Sequence, residues 1–113
     1  MSNIDFGRLG EEKAIEFLKK NGYKILERNY KTKIGEIDII ATKNKKIIFI
    51  EVKTRSSVNF GRPEEAVGKK KLKKIENVAQ IYLQSKKINL PYSFEILSIL
   101  KEGENFHFEI IQI

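Results

Sequence analysis

Two apolar runs around a short polar segment constrain the fold of this chain more than any other feature. The runs, residues 35–42 and 47–54, are rich in isoleucine, and the segment Lys43-Asn44-Lys45-Lys46 separates them. Short runs of β-branched residues flanking a polar turn are typical of an antiparallel β-hairpin. The sequence therefore predicts a hairpin at the centre of a β-sheet.

The hairpin register decides which side chains share a face. With a turn of two or four residues, counting outward places Asp38 opposite Glu51 and Glu36 opposite Lys53. Side chains alternate along a strand, so these four groups project from one face of the sheet. The other face is predicted to be core, and its side chains are all apolar: Ile37, Ile39, Ala41, Ile48, Ile50 and Val52.

The facing carboxylates of Asp38 and Glu51 require something to offset their repulsion. Residues directly opposite in an antiparallel pair lie roughly 4.5–5.5 Å apart at Cβ, and like charges so placed are destabilising. A bound cation, a lysine or a shared proton would relieve the strain, and Mg²⁺ is a natural candidate because one or two carboxylates suffice to hold it. Asp38 also interrupts a strand where β-propensity disfavours aspartate, as functional residues often do. A solvated salt-bridge cluster of the same side chains is the alternative.

The rest of the chain predicts a mixed α/β fold. Hydrophobic periodicity, glycine and proline indicate the order α-β-β-β-α-β-β, with helices packed on a mixed sheet. The predicted elements are a helix at 8–21, strands at 23–30, 35–42 and 47–54, a loop at 55–63, a helix at 64–86, and strands at 92–101 and 105–113. No repeat or linker is visible, so residues 1–113 are expected to form a single domain.

The first helix carries an acidic residue on its apolar side. Glu11 aligns with Ala14, Ile15 and Leu18 on the helical wheel. A carboxylate on a packing face is costly unless it is paired or bound to a metal. Glu11 is therefore a second candidate for the site, although a solvated position at the edge of the sheet would explain it equally well.

The charge balance favours a polyanionic partner. Lysine and arginine total 22 against 15 acidic residues, which gives a formal net charge of +7. Such an excess suits nucleic acid, although a lysine-rich surface that serves only solubility is the alternative. The side chains expected to contact phosphates are Arg55, Lys69, Lys70, Lys71, Lys73 and Lys74.

Several classes of protein are disfavoured by composition. Cysteine is absent, which removes disulfides, thiolate metal sites and a cysteine nucleophile. The longest purely aliphatic or aromatic stretch, residues 47–50, is too short to cross a bilayer, and no secretory signal is visible. We expect a cytoplasmic protein without a membrane partner.

Several short motifs are spread in order along nearly the whole chain. They are Gly7-x-x-Gly10-Glu11-x-x-Ala14, Gly35-Glu36-Ile37-Asp38, Phe49-Ile50-Glu51-Val52-Lys53-Thr54-Arg55, Phe60-Gly61 and Glu65-Ala66-Val67. Together they resemble the motifs of the YraN family, small bacterial proteins with an endonuclease-like fold. The family is itself similar to archaeal Holliday-junction resolvases of the PD-(D/E)xK superfamily. One departure is that Ile37 replaces the proline that precedes the motif's aspartate.

The resemblance implies a restriction-endonuclease-like fold and assigns roles to individual residues. Asp38, Glu51 and the carbonyl of Val52 would bind Mg²⁺ or Mn²⁺. Lys53 would orient the attacking water or stabilise charge at the phosphate, and Glu11 would be the acidic residue that resolvases place near the metal. A homodimer is implied because resolvases cut two strands.

Two functions follow as hypotheses from these observations. The first is a Mg²⁺-dependent, structure-selective DNA endonuclease of the repair or recombination type. The second is a nucleic-acid-binding adaptor that keeps the nuclease-like fold without cleaving. Nothing in the sequence indicates the reading of bases, so recognition of branched or flapped DNA is expected, by analogy with resolvases.

Overall fold

Two helices and five strands make up the computed structural model, which describes residues 3–56 and 68–113. The predicted mixed α/β class and the order α-β-β-β-α-β-β are confirmed. The elements are α1 (Asn3–Lys20), β1 (Lys24–Thr32), β2 (Gly35–Lys43), β3 (Lys46–Arg55), α2 (Lys69–Ser85), β4 (Tyr92–Glu102) and β5 (Asn105–Gln112).

The five strands form one sheet in the order β1-β2-β3-β4-β5. Neighbouring strands run antiparallel except β3 and β4, which are parallel. Parallel strands need a long crossover between them, and α2 lies in that connection. The crossover makes β3 the central strand, with β2 and β4 on either side.

The β2–β3 hairpin has the predicted register as far as the two strands pair, but the ladder ends at Ile39–Ile50, so the predicted pairs Asp38–Glu51 and Glu36–Lys53 are not formed. Thr42 pairs with Ile47 and Ile40 with Phe49, and the ladder closes at a two-residue turn. Both turn residues, Asn44 (φ 54°) and Lys45 (φ 61°), have left-handed backbone conformations. This is the geometry of the type I′ turn that suits the twist of a hairpin.

Both faces of the sheet are covered. The α1 face buries one cluster of apolar residues: Ala14, Ile15, Leu18, Tyr23, Ile39, Ala41, Ile48, Ile50, Leu97 and Ile99. The α2 face buries another: Ile37, Ile40, Ile47, Phe49, Ile75, Val78, Ala79, Tyr82 and Leu83. Strand β3 alternates between the two clusters, so the face that carries Asp38 and Glu51 is itself largely core.

The prediction for Ile37 was wrong. Its side chain packs in the α2-side cluster, whereas Ile39 and Ala41 pack on the α1 side as predicted. The regular alternation of β2 is lost between Ile37 and Ile39, next to Asn29 of β1, whose backbone is left-handed (φ 51°). The interruption falls on Asp38.

The helix bounds differ from the predicted ones at their amino-terminal ends. Helix α1 begins at Asn3 rather than at residue 8. Helix α2 begins at Lys69, and the extended Gly68 precedes it. Residues 64–67 of the predicted helix, and most of the predicted loop 55–63, lie outside the described residues. Neither helix combines the length and hydropathy that a transmembrane segment needs.

Candidate functional site

The site lies where β2 and β3 separate. Their hydrogen-bonded ladder ends at the pair Ile39–Ile50. Beyond it, β2 continues along β1 as far as Gly35, and β3 continues along β4 as far as Arg55. The next positions outward, Asp38 and Glu51, therefore stand at the mouth of a fork between the strands.

Beyond the end of the ladder, the carboxylate of Asp38 provides a hydrogen-bond acceptor for the backbone of β3. Its Oδ2 accepts a hydrogen bond from the backbone N–H of Val52 at 2.8 Å. In a strand, the N–H and C=O of one residue point towards the same neighbouring strand. The carbonyl of Val52 therefore faces the same gap as the Asp38 carboxylate.

Glu51 is held by two lysines. Its Oε1 lies 2.9 Å from Nζ of Lys71 and 3.7 Å from Nζ of Lys53. The Glu51 side chain is only 13% exposed, so these charges interact with little screening by solvent. Lys53 comes from the same strand, whereas Lys71 reaches across from the first turn of α2.

These groups share a small cleft between the sheet and α2. The cleft has a volume of about 170 Å³ and is lined by Gly35, Glu36, Asp38, Glu51, Lys71, Lys74 and Ile75. One wall is strand β2 and the opposite wall is the start of α2. The cleft thus combines carboxylates with ammonium groups.

The electrostatics of the cleft perturb its ionisable groups. Burial raises the pKa of Asp38 from 3.8 to about 6, with a further contribution from the charge of Glu51, while the bond from Val52 opposes the shift. Burial and the neighbouring Lys71 ammonium lower the pKa of Lys53. Burial lowers the pKa of Lys71, but the hydrogen bonds to Glu51 and Lys53 and the charges of Glu51 and Asp38 together outweigh burial, so the net pKa is raised.

The structure brings Asp38, Glu51 and Lys53 together, as the sequence predicts, whereas the side-chain partners of Glu11 belong to β1. Glu11 Oε1 accepts a hydrogen bond from Asn29 Nδ2 at 2.7 Å and lies 3.3 Å from Arg28 Nη2. Both partners belong to β1. Glu11 is accordingly an anchor between α1 and β1, and it is not among the residues that line the cleft.

The predicted phosphate contacts divide into two groups. Lys69, Lys70, Lys73 and Lys74 are exposed on α2, as expected. Lys71 is half-buried and points into the cleft, where it is the closest cation to Glu51. Arg55, at the end of β3, is half-buried.

Lys71 is the residue of the cleft whose position the sequence analysis missed. It lies four and seven residues before the buried Ile75 and Val78, so it extends the buried stripe of α2 by one turn. A charged residue on a packing stripe needs a partner, which is the argument that singled out Glu11. Applied to α2, the same argument would have identified Lys71.

A metal ion fits the donor set of the fork. Two carboxylates and one carbonyl converge there, and Mg²⁺ needs no more, because it completes its octahedron with water and phosphate oxygens. Within residues 3–56 and 68–113, no three Asp, Glu, His or Cys side chains form a closed cage. The protein ligands would therefore be Asp38, Glu51 and the carbonyl of Val52.

Comparisons with known proteins relate nearly the whole chain to one family. The family model described as "Uncharacterised protein family UPF0102" matches residues 10–113. A UPF0102 protein of Dictyoglomus thermophilum is 46% identical over 98% of this chain and 97% of its own length. Another, from Caldicellulosiruptor saccharolyticus, is 44% identical over 93% of this chain and 90% of its own length. A third, from Syntrophomonas wolfei, is 48% identical over 88% of both chains.

Proposed function

The chain belongs to the uncharacterised protein family UPF0102, the YraN family that its motifs resemble, and from this premise we propose that it is a metal-dependent nuclease. The proposed reaction is Mg²⁺-dependent hydrolysis of a phosphodiester bond in DNA. One observation carries the proposal: the carboxylates of Asp38 on β2 and Glu51 on β3 lie close to Lys53 of β3 where the two strands part. A purely structural salt bridge does not require such a break in the central hairpin.

Each group of the fork has a task that its surroundings support. A bound Mg²⁺ would polarise the phosphate and lower the pKa of a coordinated water. The pKa of Lys53 is lowered by burial and by the neighbouring Lys71, so its ammonium gives up a proton more readily than that of a free lysine, and Lys53 can orient the attacking water. Lys71, whose pKa is raised, keeps its positive charge and can offset negative charge that develops at the phosphate.

The start of α2 supports an anionic substrate. Its first turn contains Lys69, Lys70 and Lys71 and no acidic residue. Cations are unfavourable at the positive end of a helix dipole, so this arrangement is stabilised by an anion. Glu51 supplies one negative charge to Lys71, and phosphates of a nucleic acid would supply the others.

A non-cleaving adaptor is the second candidate, and the ion pair between Glu51 and Lys71 favours it. At 2.9 Å, this contact directs the Glu51 carboxylate to an internal partner. In an adaptor, the cluster would serve only to fix α2 on the sheet, and binding of nucleic acid would depend on the exposed lysines alone.

Cleavage assays with matched variants distinguish the two functions. Four-way junction, flap and linear DNA are incubated with the protein in Mg²⁺, in Mn²⁺ and in EDTA. We expect metal-dependent cleavage that Asp38→Asn and Lys53→Ala reduce at least about a hundredfold, while electrophoretic mobility shifts show that binding persists. Glu109→Gln, which removes an exposed carboxylate from β5, is the control and should cleave like the wild type.

The same assay specifies what would overturn the nuclease. Binding without cleavage in either metal, together with no heat of Mn²⁺ binding in calorimetry, would favour the adaptor. If the protein cleaves both strands of a junction, two sites are needed, and sedimentation velocity should then find the homodimer that the resemblance to resolvases implies.

A further inference from the structure

The turn between β1 and β2 presents an exposed isoleucine beside the cleft. Residues 31–34, here named the hairpin tip, include Ile34, whose surface is 48% exposed. The lysines of the tip, Lys31 and Lys33, are also exposed. Isolated apolar residues on a surface are ordinary, so exposure alone implies nothing.

The hairpin tip is held in a defined conformation. The hydroxyl of Thr32 donates to the carbonyl of Gly35 at 3.0 Å and accepts the N–H of Ile34 at 3.2 Å. Below the tip, Gly35 packs closely on α2: a Cβ added there would lie 3.3 Å from Cγ2 of Val78. The backbone that carries Ile34 is therefore already ordered, so little conformational entropy is lost there when a ligand binds.

The hairpin tip continues directly into the cleft. Gly35 and Glu36 line the cleft with Asp38 and Glu51, and they also line a surface depression with all four residues of the tip. Across the cleft stand Lys71 and Lys74 of α2. A phosphate backbone that runs from the depression into the cleft would thus pass Lys31 and Lys33 of the tip before it meets Lys71 and Lys74 of α2.

We propose that the hairpin tip is a wedge that contacts unpaired or unstacked bases at a branch point of nucleic acid. This inference rests on the proposed function and names the substrate feature that the same site recognises. Ile34 packs against an exposed base, as apolar side chains do where proteins separate base steps, and Lys31 and Lys33 bind the flanking phosphates. A linear duplex offers no exposed base, so the wedge selects branched or flapped substrates.

The test measures base unstacking directly, without cleavage. A flap oligonucleotide and a linear duplex of the same sequence carry 2-aminopurine next to the branch position, and fluorescence is followed in EDTA as protein is added. We expect the wild type to raise the fluorescence of the flap only. Ile34→Ser should abolish that rise and weaken flap binding roughly tenfold, leaving duplex binding unchanged, and Ile34→Met should restore both.

Leu90→Ser is the matched control. Leu90 is 45% exposed and follows α2, whose 17 residues place its far end about 25 Å from the lysines of its first turn. This control should behave like the wild type, and thermal melts should show all variants folded.

Each outcome of this experiment decides a different claim. If the wild type binds flap DNA but Ile34→Ser gives the same fluorescence and affinity, the wedge is wrong and the nuclease proposal is untouched. If Leu90→Ser lowers the flap fluorescence and the flap affinity as much as Ile34→Ser does, the effect is not local to the hairpin tip and the wedge proposal is again wrong. If the wild type binds no nucleic acid, both proposals fall, and the exposed apolar tip would be a contact for a protein partner.

Discussion

The carboxyl group of Asp38 experiences opposing influences within the fork. Burial and the neighbouring Glu51 disfavour its charge, whereas the N–H of Val52 and the Lys53 ammonium favour it. Burial dominates, and the pKa lies near 6 instead of 3.8. The native protein therefore binds this proton more tightly than the unfolded chain does, and the stabilisation is lost as the pH rises from about 4 to about 6.

Asp38→Asn should remove the loss of stability that accompanies ionisation of the buried Asp38 carboxyl group. We expect the free energy of unfolding of the variant to exceed that of the wild type by about 1–3 kcal/mol at pH 7.5, with little difference at pH 4. Urea unfolding at intervals between pH 4 and pH 8 measures the effect, and Glu109→Gln is the exposed control. Parallel pH profiles for the wild type and Asp38→Asn would contradict the shift. The same substitution should abolish cleavage, so stability and activity would change in opposite directions.

Single residues show where sequence reasoning succeeds and where it stops. Asp38, Glu51 and Lys53 could be placed near one another by counting the hairpin register outward from the turn, although the ladder ends at Ile39–Ile50 and the alternation of β2 breaks at Asp38. Glu11 was correctly identified as a carboxylate that needs a partner, but the partner is Arg28 and Asn29 of β1. A helical wheel shows that a charge faces inward, and only the tertiary structure shows what it meets.

At the scale of elements, the position of α1 depends on a close contact with β3. Gly10 is buried, and a Cβ added to it would lie 2.3 Å from Oγ1 of Thr54 on β3. Real Cβ atoms do not approach other atoms so closely, so a larger residue must push α1 away from the sheet. Thr54 directly follows Lys53, and the displacement would therefore reach the site.

Gly10→Ala should destabilise the protein although alanine is the better helix former. The gain in helix propensity is about 1 kcal/mol, whereas overpacking of a tight contact costs about 1–3 kcal/mol. We expect a net loss of up to about 2 kcal/mol in chemical denaturation. Adding Thr54→Ala to Gly10→Ala should recover part of it, because the hydroxyl and methyl groups that clash are gone. Equal stability of Gly10→Ala and the wild type would show that α1 can move freely over β3.

Elements also define what the sequence leaves open. The strands could be located because each is a short apolar run bounded by turn residues, and the hairpins followed from their short connections. The pairing of β3 with β4 is a parallel contact across α2, and periodicity does not identify a strand's partners. Ile37 was assigned to the wrong face because a regular alternation was assumed for β2, and periodicity does not show where alternation breaks. The break in β2 at Asp38 coincides with the end of its ladder with β3, whereas β3 stays paired with β4 as far as Arg55.

For the whole molecule, the formal charge of +7 matters only through its distribution. Four exposed lysines stand at the start of α2, the helix that forms one wall of the cleft: Lys69, Lys70, Lys73 and Lys74. Other exposed lysines lie at the ends of the helices, away from this wall: Lys19, Lys20, Lys86 and Lys87. If the charge excess served solubility alone, the two groups of lysines would contribute equally to the attraction of nucleic acid.

Substituting either group with glutamine lowers the formal charge by the same four units and separates these possibilities. Each phosphate contact contributes about 0.9 to the slope of log K against log salt on duplex DNA. We expect the variant with Lys69, Lys70, Lys73 and Lys74 replaced to lose about 2–4 units of slope, and the variant with Lys19, Lys20, Lys86 and Lys87 replaced to keep the wild-type slope. Fluorescence anisotropy at salt concentrations from about 50 to 200 mM measures both. Equal losses of slope in the two variants would mean that net charge alone attracts the nucleic acid. A phosphate backbone that reached the cleft along α2 would instead depend on the lysines at the start of that helix.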